Sequence, residues 1–268
     1  MNSLIAVLLV LAGPPLYQSS PAEVDTYLAA LQRDKPDYVE RIAQVVADSA
    51  GTPYHDGPLG EGPDAPYDRD PLIDLSRVDC VTFVEQCAAV AAGADFADVT
   101  ARLQQIRYAG GQVDFATRNH FMVADWIPNN PWCRDVTAEL GIPSESLTRT
   151  ISKAEFFKRV DAEALGQDIA DRDVTVDHIP IADAPAAEKR IKKPSVVVFI
   201  GKIDWLFALH CGIYLPDGHG GGALYHASSK AGKVTAVSFS DYAREQSNRY
   251  LGFTVYEIAP PAFLPAAP

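Results

Sequence analysis

The spacing of apolar residues changes near Pro194, and that change limits the folds open to this 268-residue chain. Before it, apolar side chains recur three and four residues apart; after it they fall in short runs of strand length. Helices are expected over residues 21–32, 36–50, 78–92, 96–107 and 153–162. The second carries Val39, Ile42, Val45 and Val46 on one face and stops at Gly51. From Pro194 onward, residues 196–200, 209–215, 223–227, 234–239 and 252–258 read as strands separated by Gly and Asp turns. Helices first and strands second imply an α+β domain, with N-terminal helices packed on an antiparallel sheet. Between the second and third helices, residues 52–74 are rich in Gly, Pro and Asp and have no period. An irregular segment of that length in a compact domain is expected to wall a functional cleft.

Charge narrows the partners. The chain carries 35 acidic against 23 basic residues, a formal net charge of −12. Nucleic acid is therefore not the expected partner, because phosphate backbones are held by clustered positive charge. The one basic run, residues 189–193, precedes a strand and reads as a solvated turn. The apolar run of residues 4–12 is shorter than the roughly 20 residues that cross a bilayer. Its length suits a signal-peptide core, although Asn2-Ser3 supplies no basic leader. Residues 1–22 are thus expected to be a signal or N-terminal hydrophobic segment, with export to the periplasm or beyond and no stable membrane span. Residues 23–268 are expected to form one domain.

Four cysteines are present, Cys80, Cys87, Cys133 and Cys211. Cys80 and Cys87 are seven residues apart, roughly 10 Å along a helix and too far to bridge. The other three read as small buried hydrophobes. Cys80 is different because it opens an apolar helix, where free amides and the macrodipole favour a thiolate. Its backbone amide is also placed to donate to an oxyanion. Far downstream, strand alternation puts Leu209, Cys211 and Ile213 on one face and His210 and Gly212 on the other. Gly212 is expected to leave open space above the His210 ring. His226, on a following strand, is expected to hold the far nitrogen of that ring and fix its tautomer. A lone cysteine or histidine is most often structural, but a thiol at a helix mouth with two distant imidazoles is the pattern of hydrolytic cysteine chemistry. A zinc site from His210, Cys211 and His226 fails on alternation, so no metal or cofactor is expected.

Several further segments join this pattern: Gly51-Thr52-Pro53-Tyr54, Asp79-Cys80-Val81-Thr82-Phe83-Val84-Glu85, Ile106-Arg107-Tyr108, Arg118-Asn119-His120-Phe121, Asp125-Trp126-Ile127, His210-Cys211-Gly212-Ile213-Tyr214 and His226-Ala227-Ser228. In their order, the chain resembles the N-acetylmuramoyl-L-alanine amidase-like branch of the NlpC-type cell-wall cysteine peptidases. The resemblance implies a papain-like core acting on peptidoglycan fragments (muropeptides). It implies Cys80 as nucleophile, His210 as base, His226 as orienting residue and Tyr54 as a hydroxyl lining the site. Asp79 matches a substrate-binding position and also suits a helix N-cap. The sequence departs from the wider superfamily in Val81-Thr82, where Ser-Gly is usual, and from the branch in Phe121, where tyrosine is common. The glycine loop around His219 also looks longer than usual. On the substrate side, Arg118 is a candidate to pair a stem-peptide carboxylate and Trp126 to stack on a sugar, with His120 and Asp125 shaping the wall. An internal salt bridge and core packing are the competing readings for Arg118 and Trp126. The expected reaction cleaves the amide between N-acetylmuramic acid and L-alanine. A γ-D-glutamyl-diaminopimelate endopeptidase and a catalytically silent wall-binding module are the alternatives.

Overall fold

The structure, a computed structural model, describes residues 13–262; the apolar run of residues 4–12 lies outside them. Four helices lead: α1 (Pro21–Asp34), α2 (Tyr38–Asp48), α3 (Cys80–Ala92) and α4 (Phe96–Arg107). Each start has a local cause. Asp37 accepts from the Val39 and Glu40 amides and Asp95 from the Asp98 amide, while Glu23 reaches back to the Ser20 amide. A π-turn over Met122–Trp126 runs into the single turn α5 (Ile127–Asn129). The strands are β1 (Cys133–Asp135), β2 (Glu145–Ile151), β3 (Arg172–Pro180), β4 (Ser195–Gly201), β5 (Ala208–Pro216), β6 (Gly222–Ser228), β7 (Lys233–Val237) and β8 (Tyr250–Ile258). Short helices α6 (Lys153–Arg159), α7 (Ala184–Glu188) and α8 (Phe239–Glu245) connect them.

The strands form one sheet in the order β2-β3-β8-β4-β5-β6-β7, with β1 added on β8. Every pairing is antiparallel, as the α+β reading expects. One face packs on α3, behind which α1, α2 and α4 gather, burying Val196, Val198, Cys211 and Ile213 against Phe83, Val84 and Ala88. The other packs on α7 and α8, burying Val197, Phe199, Tyr214 and Phe253 against Ala184 and Phe239. Strand β4 is buried along its whole length because both of its faces are covered, which explains a continuous apolar run instead of alternation. Helix α3 is buried on nearly every side for the same reason, its residues 82–92 all lying in the interior.

Differences from the sequence reading have local causes. The third helix starts at Cys80, two residues later than expected, because Asp79 is its cap. The strand expected over 234–239 ends at Val237, where the Ser238 hydroxyl accepts from the Asp241 amide and starts α8. The pair β2–β3 was not expected; its outer face carries Ser146–Asp177, Thr148–Thr175 and Thr150–Asp173 side-chain hydrogen bonds in place of an apolar stripe. Leu16, inside the segment expected to be a leader, is buried in the core, so the packed unit begins before residue 23.

The irregular segment between α2 and α3 is held by a buried polar network. The Tyr108 hydroxyl donates to the Gly60 carbonyl (3.1 Å) and to Glu61 (2.9 Å), and Arg107 donates to the Leu59 carbonyl (3.0 Å). Arg118 bridges Glu61 and Asp68. On α3, Glu85 accepts from the Trp126 indole at 3.0 Å and faces Arg107 at 3.4 Å. Burial raises the Glu85 carboxyl to about 7, against an ordinary 4.5, although Arg107 opposes the rise. Between those values the native state holds a proton that the unfolded chain has released. Its contribution is complete below pH 4.5 and is lost as pH rises through 7. In urea titrations the wild type should therefore lose stability relative to Glu85→Gln as pH rises from 4.5 to 7. Glu85→Ala, which strands the buried Arg107, should cost about 3–5 kcal/mol at neutral pH.

Candidate active site

Cys80 is the first residue of α3, and Asp79 fixes where that helix begins. One Asp79 oxygen accepts from the Val81 amide (2.9 Å), the Thr82 amide (2.8 Å) and the Thr82 hydroxyl (2.9 Å). The other accepts from the Gly57 amide at 3.2 Å, and the Asp79 amide donates back to the Thr82 hydroxyl at 2.8 Å. The carboxylate is thus filled by its own backbone, and burial followed by the nearby Cys80 raises its pKa. Below α3, the Cys211 thiol on β5 donates to the Cys80 carbonyl at 3.1 Å. The Cys80 thiol is held well below its ordinary range by the neighbouring Cys211 S–H and by His210, against the opposing effect of burial. A helix N-terminus adds to that preference for the thiolate.

His210 on β5 and His226 on β6 meet edge to face, with ring planes at 89° and His210 Nε2 2.9 Å from His226 Nδ1. His226 Nε2 lies 3.4 Å from the Thr235 hydroxyl, its register partner on β7. Burial, and then the charge of His210, pushes His226 down to about 4, so it is neutral near neutral pH. A neutral ring that accepts at Nδ1 carries its proton on Nε2, facing Thr235. His210 Nδ1 is then the nitrogen left for the thiol. Phe199 stacks on the His210 ring at 6.2 Å, and Tyr242 of α8 packs 4.8 Å from His226 and 5.9 Å from His210.

Gly212 does not open space above His210. A Cβ there would stand 2.5 Å from the Tyr225 carbonyl and 3.0 Å from His226 Cβ. Its missing side chain is filled by β6, and that close approach is what brings His226 onto His210. Alternation holds as expected: Cys211 belongs to the core under α3, whereas the His210 ring lies against Phe199 and Tyr242. Among the described residues, His210, Cys211 and His226 are not gathered as a set of metal ligands.

Cys80, His210 and His226 open into a cleft of 730 Å³ together with Tyr54, Asp56 and Tyr242. Tyr54 is placed by backbone pairing, its amide donating to the Gly232 carbonyl at 2.9 Å and its strand bridging to Val78. Burial and the surrounding Asp56, Cys80 and Asp79 charges raise its phenol. The four residues expected on the substrate wall are elsewhere. Trp126 has no exposed surface and so no face for a sugar. Arg118 is occupied by Glu61 and Asp68, and Asp125 by Lys153 (3.2 Å) and Arg172. His120 Nε2 donates to the Phe115 carbonyl (2.7 Å) among Phe115, Phe156 and Phe157, and burial pushes its pKa down to about 3. These residues brace the wall from inside. Thr235, Tyr242 and Asp56 line the cleft and were not expected there; only the alternation of β7 could have pointed to Thr235.

A family model described as AmiA-like, N-acetylmuramoyl-L-alanine amidase-like, matches residues 44–252. The chain belongs to this family. The matched AmiA-like region contains Tyr54, Cys80, His210 and His226. Among solved structures, the AmiA-like chain is similar to a Legionella pneumophila protein of the DUF1460 family, at 22% identity over 91% of this chain and 96% of that one, with a TM-score of 0.80. It is also similar to an N-acetylmuramoyl-L-alanine amidase from Bacteroides uniformis, at 23% identity over 83% and 99% of the two chains, with a TM-score of 0.65. A putative xylanase from Bacteroides fragilis aligns at 26% identity over 80% and 100%, with a TM-score of 0.62. No curated protein sequence matched.

The four thiols of this AmiA-like chain are free and differ sharply in surroundings. Burial raises Cys87 to about 12 and lifts Cys133 as well, and Cys211 is raised by Cys80 and by burial. Iodoacetamide near pH 7, followed by peptide mass mapping, should label Cys80 first and leave the other three unmodified in the native protein. Equal labelling of Cys80 and Cys87 would contradict the lowered Cys80 thiol.

Proposed function

We propose that this protein is a cysteine-dependent amidase of peptidoglycan fragments, cutting the amide between N-acetylmuramic acid and L-alanine of the stem peptide. The observation that carries the reading is the 2.9 Å contact of His210 with a neutral His226 beside a thiol held well below its ordinary range. That arrangement is a nucleophile, a base and an orienting group in series. Membership of an amidase-like family supports that bond and substrate class, and the name of the Bacteroides uniformis neighbour agrees with it. We read the core as the papain-like, NlpC-type scaffold, and a cell-wall substrate implies export.

The Cys80 sulfur attacks the lactyl carbonyl carbon, and the carbonyl π electrons move onto oxygen. The Cys80 amide and the Tyr54 hydroxyl donate to that oxyanion. His210, protonated at Nδ1 by the thiol, gives this proton to the alanine nitrogen as the C–N bond breaks, leaving a muramoyl thioester. Water, losing a proton to His210 Nδ1, attacks the thioester; as the C–S bond breaks the sugar acid is freed and the proton returns to the Cys80 sulfur. His226 accepts from His210 Nε2 throughout and keeps Nδ1 aimed at the sulfur. Asp79 acts by positioning, because its oxygens are occupied in setting the first turn of α3. No step needs a metal or organic cofactor.

The neighbour named a putative xylanase favours a different reaction, which calls for two carboxyl groups flanking a glycosidic bond at roughly 5–9.5 Å. The thiol–imidazole–imidazole series has no part in that chemistry. Incubation with disaccharide-tetrapeptide, followed by mass spectrometry, should yield free disaccharide and intact stem peptide, and Cys80→Ala should abolish both. Cleavage after D-glutamate would reassign the bond to an endopeptidase, and xylan hydrolysis that survives Cys80→Ala would overturn the amidase. Tyr54→Phe should lower kcat by about 10²-fold with little change in KM, as loss of one oxyanion donor does.

A further inference from the structure

The chain is acidic and pairs its cations thoroughly, which makes the exceptions informative. Among the described residues, most arginines donate to a carboxylate or a backbone carbonyl, including Arg33, Arg77, Arg118 and Arg244 at carboxylates and Arg41, Arg69 and Arg190 at carbonyls. Arg159 and Arg249 have only an aromatic ring beneath them, Trp205 at 4.7 Å and Tyr250 at 5.6 Å. Of the lysines, Lys153 and Lys193 are ion-paired and Lys192 and Lys202 are held by carbonyls. Lys230 makes no such contact, nor do Lys35, Lys158, Lys189 and Lys233, but of these only Lys230 lines the cleft of Cys80.

Arg249 and Lys230 line one cavity, the cleft that holds Cys80, His210 and His226. Both side chains are exposed. Arg249 stands close enough to the histidine-packing Tyr242 to oppose the burial that raises its phenol, and Cys80 acts on the same ring in the other direction. Cys80, Tyr242 and Arg249 thus line one cavity. Of the acids lining the cleft, Asp56 partners Tyr54, and Glu245 forms no ion pair with Arg249 although it lies four residues before it. An arginine held over an aromatic face keeps its forked donors free for a planar anion.

We propose that Lys230 and Arg249 form a carboxylate subsite that receives an acidic residue of the substrate's peptide. The inference rests on the peptidoglycan reading above and deepens it: the pair selects fragments whose stem carries free carboxylates over amidated ones. A net-negative protein repels such a substrate at long range, and two unpaired cations inside the cleft give it a favourable place to dock. They are specificity residues, remote from the bond that breaks.

The test is binding, separated from turnover by Cys80→Ala. The probes are N-acetylmuramoyl-L-alanyl-D-glutamate and its diamide, in which both glutamate carboxyls are amides. Calorimetry should give the acid about tenfold tighter binding than the diamide, and Arg249→Gln with Lys230→Gln should remove that preference while leaving the diamide unchanged. The preference should also shrink as salt is raised. Equal affinity for acid and diamide, or no binding of either, overturns the subsite, as does a loss on substitution that is the same for both probes. Because both side chains are exposed, the variants should fold, which their unfolding midpoints check. If the acid is preferred through Arg249 but the wild type never cleaves it, the subsite stands and the amidase fails; cleavage of both probes at equal KM has the reverse meaning.

Discussion

The Asp79 carboxylate, with four donors gathered from Gly57, Val81 and Thr82, is the contact on which the rest of the site depends. It ends the irregular segment and begins α3 at one defined residue, so that Cys80 stands at the helix mouth with its amide unspent. It also ties that residue to the loop carrying Tyr54 and Asp56. A helix starting one residue earlier or later would rotate the thiol by about 100° and take it out of line with His210. Loss of such a cap typically costs about 1 kcal/mol, which is small beside the geometric effect on the thiol.

A second close approach sets the imidazoles. With Gly212 on β5, strand β6 comes near enough for its Tyr225 carbonyl and His226 Cβ to occupy the space a side chain would fill. That approach leaves His226 Nδ1 2.9 Å from His210 Nε2, and the β6–β7 register sets Thr235 opposite His226. Phe199 stacks beside the His210 ring, and Tyr242 packs near both imidazoles. The polar core of Glu85, Arg107, Trp126 and Tyr108 performs the matching task for the loop wall, and it includes Trp126, a sugar-stacking candidate in the sequence.

This division explains what can be read from the chain before its structure. Helix α4 spans residues 96–107 as its spacing predicts, and α3 and the strands β4, β5, β6 and β8 follow from runs with a clear period. The candidates that depend on position within such an element, Cys80 at a helix start and His210 and His226 on alternating strands, do converge. Those inferred from residue type alone, Arg118, His120, Asp125 and Trp126, are drawn inside instead. A buried arginine between two carboxylates and an exposed one awaiting a ligand have the same composition, and only tertiary contacts separate them. The β2–β3 pair escapes notice because its exposed face is made of threonines and acids, which carry little hydrophobic signal. Tyr242 escapes because a strand was expected to continue through Phe239, whereas Ser238 turns the chain into α8.

The claim at the centre of this account is that the Cys80 sulfur becomes covalently attached to the sugar acid. Rapid acid quench during turnover of a disaccharide-peptide, with intact-protein mass and peptide mapping, tests it most directly. The account predicts a transient adduct of the disaccharide acyl mass on the peptide containing Cys80, absent from Cys80→Ala. Peptide release at an undiminished rate by Cys80→Ala, with no adduct in either protein, would contradict it.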